Sequence, residues 1–341
     1  MKILIPSIQV PFISGGSTLM TKGLQKALIK AGHEVEIVTI PFKFSPNSYV
    51  SDLIDIWKEQ DFNNFNGYKI DMVIALQFPA YYVKHDNKVL WLMHQHRSMY
   101  ELYNEKNTNE DDALLRDKIH LSDSSKLAKI PKRFSMCENV SNRLFKYNNL
   151  LSTPVYHPPA FEENFYCEES YDYVFYPSRL EELKRQDLLI EAMRYTKTDV
   201  CAIIAGDGGQ RQNYESLIKK HHLEKKVKLV GFISQAEKET YYARSLGVFF
   251  APFDEDYGYI TLEAMLSSKP VITCVDSGGP LEFVEDNHTG FIIESDPKSI
   301  AKKIDWLYLN KKEAKKLGEN GLESYKNKNI TWDNVVNKLL G

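Results

Sequence analysis

Short apolar runs alternate with helical patterns along almost the whole chain, in two separate series. Strands are predicted in the first series at residues 2–6, 34–40, 71–76, 88–93 and 133–137. Strands of the second series are predicted at residues 173–177, 200–205, 227–230, 246–253, 270–275 and 290–293. Such a repeated order of strand, loop and helix predicts α/β domains with parallel sheets. Three prolines within Ser152–Pro159 separate the two series, and we interpret this segment as an interdomain linker.

The composition is that of an ordinary globular protein, because 43% of the 341 residues are hydrophobic, 26% are charged and the formal net charge is -3. No domain is basic enough to indicate nucleic acid as the main partner. The four cysteines have no CxxC or CxxH spacing, so neither a zinc site nor a redox pair is expected. The apolar run at the amino terminus is too short for a signal peptide, and no run has the length of a membrane span. We therefore expect a cytoplasmic protein.

A cationic stretch covers residues 126–146. It indicates either weak peripheral contact with anionic lipid, at the inner face of the membrane, or a solvated charged surface.

In the second series, charged residues and glycines follow several of the predicted strands. Arg179 and Lys184 lie at a loop–helix junction, and residues 206–209 read G-D-G-G. Glu255 and Glu263 lie in the stretch F-D-E-D-Y-G-Y-I-T-L-E-A-M, the first on a loop and the second about one turn into a helix. The carboxyl ends of parallel strands share one edge of the sheet, where ligands bind. An Arg and a Lys there suit a pyrophosphate, although each charged pair alone is equally typical of an ordinary surface.

The first series opens with a strand, the Gly15–Gly16 loop and a helix over residues 17–30. The full G-x-G-x-x-G pattern is missing, so a dinucleotide fingerprint is not supported. The loop still allows close backbone approach beside a helix N-terminus that favours an anion. Tyr81–Tyr82 and Phe12–Ile13 lie in loops near the carboxyl edge of this domain, where they either line an acceptor or lipid-carrier site or pack in the core.

Five short motifs follow one another in the second series. They are P-S-R-L-E-E-L-K (Pro177–Lys184), G-D-G (Gly206–Gly208), G-F (Gly231–Phe232), E-x7-E (Glu255–Glu263) and G-G-P-L-E (Gly278–Glu282). This ordered set resembles the donor domain of the retaining family-4 glycosyltransferases of the GT-B fold, the glycosyl transferases group 1. The resemblance extends over about residues 173–293. The first half of the chain matches only in its βαβ opening, the Gly15–Gly16 loop and a strand-terminal histidine, His94.

The resemblance implies two Rossmann-like parallel-sheet domains that face each other across a cleft. Residues 1–160 would form the acceptor domain and residues 161–320 the nucleotide-sugar donor domain. A C-terminal helix at residues 321–341 would pack back towards the first domain.

The resemblance also implies roles for individual residues. Arg179, Lys184 and Gly16 match positions that bind the donor pyrophosphate, and Glu263 matches the acid that binds the ribose. Glu255 and His94 match the catalytic positions beside the transferred sugar. The loops around the donor sugar and base are matched by Gly206, Phe232, Gly258 and Tyr259. In the family, retention is usually explained by front-face attack in which the leaving phosphate accepts the acceptor's proton, so no dedicated base is expected.

Two residues depart from the family pattern: Tyr257 stands where Phe is usual, and the more important departure is the residue before it. Asp256 stands where a small or uncharged residue is common, and it leaves the identity of the donor sugar open. It also completes a D-x-D triplet at residues 254–256, which in the GT-A fold would hold a divalent metal. Because Arg179 and Lys184 already supply cations, no divalent metal or other cofactor is expected.

The function that the resemblance implies is retaining transfer of a hexose from a UDP- or GDP-linked sugar to a glycan or glycolipid acceptor, in the synthesis of cell-surface polysaccharide. A nucleotide-sugar epimerase or a phosphorylase of the same fold is an alternative, although the E-x7-E and R-x4-K motifs favour transfer. A non-catalytic two-lobed sugar-binding protein is a third hypothesis. The expected partners are the nucleotide-sugar donor and a glycan or lipid-linked acceptor.

Overall fold

A computed structural model describes residues 1–12, 15–107 and 109–341, with the side chain of Asn107 excepted. The chain divides into two compact units. One unit comprises residues 1–160 and 331–341, and the other comprises residues 161–330.

The first unit is built around a parallel sheet. Its elements from the amino terminus are β1 (Lys2–Gln9), α1 (Gly16–Lys30), β2 (Glu34–Pro41), α2 (Asn47–Glu59), a hairpin of β3 (Asn64–Phe65) and β4 (Tyr68–Lys69), β5 (Met72–Gln77), β6 (Lys88–His94), α3 (Glu110–Leu127), β7 (Lys132–Ser135), α4 (Glu138–Asn148) and β8 (Thr153–Pro154). Described strands pair in the order β2-β1-β5-β6-β7-β8, each parallel to its neighbour. β5 is buried along its whole length, as expected for a central parallel strand.

The segment predicted as a linker begins inside this sheet. Thr153–Pro154 is an edge strand, paired with β7, rather than part of a free connection. A proline is tolerated there because an edge strand needs hydrogen bonds on one side only.

The second unit repeats this architecture. Its elements are β9 (Tyr173–Pro177), α5 (Gln186–Met193), β10 (Cys201–Ala205), α6 (Arg211–Lys220), β11 (Val227–Gly231), α7 (Gln235–Arg244), β12 (Gly247–Phe249), α8 (Tyr259–Leu266), β13 (Val271–Cys274), β14 (Gly290–Ile293), α9 (Pro297–Leu309) and α10 (Lys311–Asn327). Its described strands are parallel in the order β11-β10-β9-β12-β13-β14, so the order reverses between β9 and β12. The two sheets confirm the predicted fold class of Rossmann-like parallel-sheet domains.

Two boundaries differ from those predicted. The apolar run at 246–253 is a strand only over Gly247–Phe249, after which the chain leaves the sheet and Phe253 is exposed. The predicted domain boundary after residue 320 falls within α10, and the division lies after Ile330.

The last helix, α11 (Trp332–Leu340), belongs to the first unit. The Trp332 indole lies against α1 at Gly23, where an added Cβ would come within 2.2 Å of Trp332 Cζ2. The same indole meets the ring of Trp91 edge-on, with 6.3 Å between the ring centroids. Gly23 therefore makes room for an aromatic anchor that holds α11 in place.

Candidate functional site

The strand order of the second sheet reverses between β9 and β12. In open parallel sheets, ligands bind outside the carboxyl ends of the strands at such a reversal. The loop after β9 carries Arg179 and Lys184, and the chain after β12 carries Glu255. The topology therefore brings three of the residues predicted from the sequence to one edge of one sheet.

The loop after β9 is held against the loop after β10. The Leu180 N–H donates to the Asp207 carbonyl at 3.0 Å. Gly206 has a φ of +129°, and an added Cβ there would lie 2.0 Å from the Ser178 carbonyl oxygen. This close approach requires glycine. Arg179 lies on this supported loop. Its side chain is exposed and has no partner among the described residues.

Lys184 and Glu255 form an ion pair between their Nζ and Oε2 atoms, and each side chain is 19% exposed. The Tyr176 hydroxyl donates a hydrogen bond to the Lys184 carbonyl, which fixes the backbone of Lys184. The two residues, predicted to bind the pyrophosphate and the sugar, are thus in direct contact. The contact places a cation and a hydrogen-bond acceptor together at the sheet edge.

Arg185 is a residue of this region that the sequence analysis did not single out. Its guanidinium donates two hydrogen bonds to the Asp276 carboxylate, at 2.7 and 2.8 Å. It also donates to the carbonyls of Ala251 and Pro252, each at 2.9 Å. The hydrogen bonds from Arg185 hold the pKa of Asp276 below its ordinary value. Arg185 thereby ties the loop that carries Lys184 to the chain that follows β12.

The loop that carries Glu255 lies along the turn that follows β13. The Glu255 N–H donates to the Ser277 carbonyl at 2.9 Å, and the Gly279 N–H donates to the Glu255 carbonyl at 2.8 Å. A Cβ on Gly279 would come within 2.5 Å of the Asp256 carbonyl oxygen. Gly258 ends the loop with a φ of +83° and precedes α8. Two glycines thus allow the close packing that fixes the Glu255 backbone.

Glu263 lies inside α8 and is only 7% exposed. Its Oε1 accepts from Lys238 Nζ at 2.8 Å, and its Oε2 accepts from the Tyr242 hydroxyl at 2.7 Å. Burial, then the charge of Glu263, raise the pKa of Tyr242 well above its ordinary value, so this hydroxyl remains a donor. Each carboxylate oxygen keeps a second lone pair. Glu263 is therefore oriented by α7 while it retains capacity to accept from a ligand.

The remaining predicted residues of the second unit lie in the loops after β10 and β11 and at the start of α8. Phe232 follows β11 and is 88% exposed, an unusual position for so large an apolar ring. The Gly231 carbonyl accepts from the Gly206 N–H at 2.7 Å, which joins the loops after β10 and β11. Tyr259 begins α8, with its ring edge-on to Tyr257 at 5.2 Å between centroids.

His94 and Gly16 belong to the first unit. His94 ends β6, and its Nδ1 lies 2.7 Å from the Gln95 carbonyl oxygen. Because a carbonyl can only accept, this contact requires a proton on Nδ1. Gly16 is the first residue of α1, in line with the predicted helix start beside the glycine loop.

An acceptor or lipid-carrier site at Tyr81–Tyr82 of the first unit is not supported. Tyr81 and Tyr82 are buried, and both hydroxyls donate to Oδ1 of the buried Asp123, at 2.8 and 2.6 Å. They are core residues that satisfy a buried carboxylate, and they line no open site. Phe12 is exposed, and Ile13 lies outside the described residues.

Two further observations concern the described part of the chain as a whole. It contains no group of three or more His, Cys, Asp or Glu side chains placed to hold a metal ion. No described helix is long and apolar enough to cross a membrane.

Comparison with known proteins relates the second unit to one family. Residues 162–324 match the model of glycosyl transferases group 1. The chain is 30% identical over 140 residues to the alpha-1,3/1,6-mannosyltransferase ALG2 of Dictyostelium discoideum. The aligned region covers 39% of this chain and 33% of that protein. The chain spans about a third of the length of the curated relatives it matches first.

Solved structures share the fold of the whole chain. A sucrose-phosphate synthase from Thermosynechococcus elongatus superposes with a TM-score of 0.80 at 17% identity, over 99% of this chain and 96% of that one. HepE from Anabaena, crystallised with UDP, superposes with a TM-score of 0.72 at 16% identity, over 100% and 98% of the two chains. Residues 162–324 of the second unit thus match the glycosyl transferases group 1 model, and the chain shares the fold of these solved structures.

Proposed function

We propose that this protein is a glycosyltransferase that moves a hexose from a nucleotide-diphosphate sugar to a glycan or lipid-linked acceptor, with retention at the anomeric carbon. The observation that carries the proposal is the ion pair at the strand reversal between Lys184, on the same loop as the exposed Arg179, and Glu255, on the chain after β12. A diphosphate needs fixed cations, and a sugar needs fixed acceptors. Both kinds of group are supplied here by loops that glycines hold in place.

The charges at this edge suit the chemistry of transfer. When the bond between the sugar and the diphosphate breaks, negative charge grows on the leaving phosphate, and preorganised cations such as Arg179 and Lys184 lower the barrier. Glu255 would accept from sugar hydroxyls and stabilise the oxocarbenium-like carbon. The leaving phosphate would take the acceptor's proton, so the scheme requires neither a dedicated base nor a divalent metal.

Other residues complete the proposed donor site. Glu263 would accept from the ribose hydroxyls through its remaining lone pairs, with Lys238 and Tyr242 fixing its orientation. Gly206, Phe232, Gly258 and Tyr259 would form the loops around the sugar and the base. From the first unit, Gly16 would approach the pyrophosphate and His94 the transferred sugar.

Two relatives and one residue bear on the base and sugar of the donor. A relative is named as a mannosyltransferase, and a structural neighbour was crystallised with UDP. We accordingly keep UDP- and GDP-linked hexoses as the candidate donors, and we place the donor preference at Asp256. The acceptor would be a precursor of a cell-surface polysaccharide. The protein would act on it in the cytoplasm, or while bound weakly at the inner face of the membrane.

Isothermal titration calorimetry with UDP and GDP tests the proposal. One of the two is expected to bind the full-length chain, and Lys184→Ala and Glu263→Ala should each weaken that binding about tenfold or more, since each removes a charge-assisted contact. Lys220→Ala, at an exposed position of α6, is the matched control and should bind as the unchanged protein does. The proposal fails if neither nucleotide produces a saturable heat.

A further inference from the structure

A cavity of about 550 Å³ opens in the second unit between the loop after β9, α6 and Phe253. Its volume lies within the range of small-molecule sites. The described residues that line it do not include Lys184, Glu255 or Glu263. It is therefore separate from the groups assigned above to the donor.

The aromatic walls of this cavity are fixed in place. The Phe253 ring is 42% exposed, and the guanidinium carbon of Arg185 lies 5.8 Å from its centroid. The Phe253 N–H donates to the Leu183 carbonyl at 2.8 Å. Tyr214 lines the cavity from α6, and its hydroxyl donates to Gln186 Oε1 at 3.2 Å. Because both rings are already held, a ligand can cover them at little cost in side-chain entropy.

The polar groups of the cavity are mostly acceptors. Glu182 and Asp187 line it, and neither carboxylate forms an ion pair with a described residue. Asn213 donates to the Gln210 side chain at 2.7 Å, which leaves the Asn213 carbonyl oxygen as an acceptor. The guanidinium of Arg185 is already engaged by Asp276 and by backbone carbonyls. Two unpaired carboxylates and one occupied cation disfavour a phosphate or any other anion.

We propose that this cavity binds a neutral sugar residue of a glycan, as a second carbohydrate site on the donor unit. A pyranose has C–H faces that cover aromatic rings and a rim of hydroxyls that donate to carboxylates and amides. Phe253 and Tyr214 supply the rings, and Glu182, Asp187 and Asn213 supply the acceptors.

The position of the cavity suggests what the bound sugar belongs to. Leu183 and Phe253 line the cavity, and they lie one and two residues before Lys184 and Glu255 respectively. A sugar bound here would therefore contact the same two loops that carry the proposed donor groups. On the proposed function, which this step requires, the site holds a neighbouring sugar of the acceptor glycan.

Saturation-transfer NMR on the full-length chain tests the site. The probes are the methyl α-glycosides of glucose, galactose and mannose, together with N-acetylglucosamine. Asn213→Trp fills the cavity from an exposed position on α6, and Gln212→Trp places the same ring at an exposed neighbouring position outside the lining. Thermal melting of both variants verifies that they are folded.

At least one probe is expected to receive saturation that persists with excess UDP and GDP, survives Gln212→Trp and is lost in Asn213→Trp. Loss of the signal on addition of nucleotide would assign the sugar to the donor site and overturn the proposal. No transfer to any probe would also overturn it. Displacement of the sugar by the cationic peptide hexalysine at constant ionic strength would do the same, because it would show that the carboxylates of the cavity bind a cation instead. The calorimetric titration of UDP and GDP reports on the donor site separately, so failure of one proposal is distinguishable from failure of the other.

Discussion

Arg185 illustrates how a single residue organises the proposed donor site without being predicted to bind anything. It has a φ of +51°, and its guanidinium connects its own loop to Asp276, which lies 91 positions away in the sequence. Four of its hydrogen bonds end on groups beyond β12 and β13. Lys184 precedes it directly, so the position of the proposed phosphate-binding cation depends on this connection.

Replacing this residue by Arg185→Ala should destabilise the second unit by about 2 kcal/mol, because Asp276 and two carbonyls lose charged donors in a partly buried setting. Urea unfolding of the full-length chain measures the loss. Arg194→Ala is the matched control, since its ion pair with Glu191 lies at the surface and should contribute nothing measurable. Equal midpoints for the two variants would contradict the connecting role of Arg185.

The sequence predicts which residues lie at this edge of the sheet, but it does not predict most of their hydrogen-bond partners. Lys184 and Glu255 follow strands whose apolar patterns are clear, so a parallel sheet brings them to one edge. The burial of Glu263 depends on Lys238 and Tyr242, which come from a different helix. Long-range contacts of this kind leave no periodic signal in a single sequence.

At the scale of the element, glycines decide how closely the loops of the second sheet approach one another. Gly206 and Gly209 occupy the same loop after β10, yet their surroundings differ. A Cβ at Gly206 would meet the backbone of the neighbouring loop, whereas a Cβ at Gly209 would meet nothing within 4 Å. The positive φ at Gly206 adds a second penalty for any larger residue.

We therefore expect Gly206→Ala to destabilise the second unit by about 2 kcal/mol or more and to weaken UDP or GDP binding, because it pushes away the backbone that presents Arg179. Gly209→Ala should leave both properties nearly unchanged. Thermal unfolding and calorimetric titration of the two variants measure the effects. Similar melting temperatures for both alanine variants would show that the close approach at Gly206 does not matter.

Elements with a strong hydrophobic pattern were predictable, and short or edge elements were less so. The buried strands β5 and β9 follow their apolar runs closely. Helix α2 was missed although Val50, Leu53, Ile54 and Trp57 have helical spacing and are all buried. The apolar run at residues 246–253 predicts a strand throughout, but its pairing with β13 ends at Phe249. Apolar composition alone does not determine where strand pairing stops.

At the scale of the whole molecule, burial lowers the pKa of two histidines of the first unit far below the ordinary value. His96 and His157 belong to the first unit. His96 stacks on Phe78 at 4.7 Å between centroids, and His157 meets Trp91 edge-on at 5.2 Å. Burial, with a smaller contribution from His94, lowers the pKa of His96 to about 4. Burial lowers the pKa of His157 to about 3.

These pKa values predict that the first unit loses stability in mild acid. An unfolded histidine takes up a proton near pH 6.5, whereas the folded His96 and His157 do so only near pH 4 and pH 3. Between these limits the unfolded state binds more protons, so the free energy of unfolding falls as the pH falls, by about 1.4 kcal/mol per pH unit for each histidine. Urea unfolding at pH 7, 6 and 5 measures the slope, with tryptophan fluorescence as the signal. Three of the four tryptophans (Trp57, Trp91 and Trp332) lie in this unit, and Trp306→Phe as the common background removes the signal of the second unit. His157→Gln should remove about one histidine's share of the slope, whereas His222→Gln, at an exposed position of the second unit, should leave it unchanged. An unaltered slope in His157→Gln would contradict a neutral buried histidine at that position.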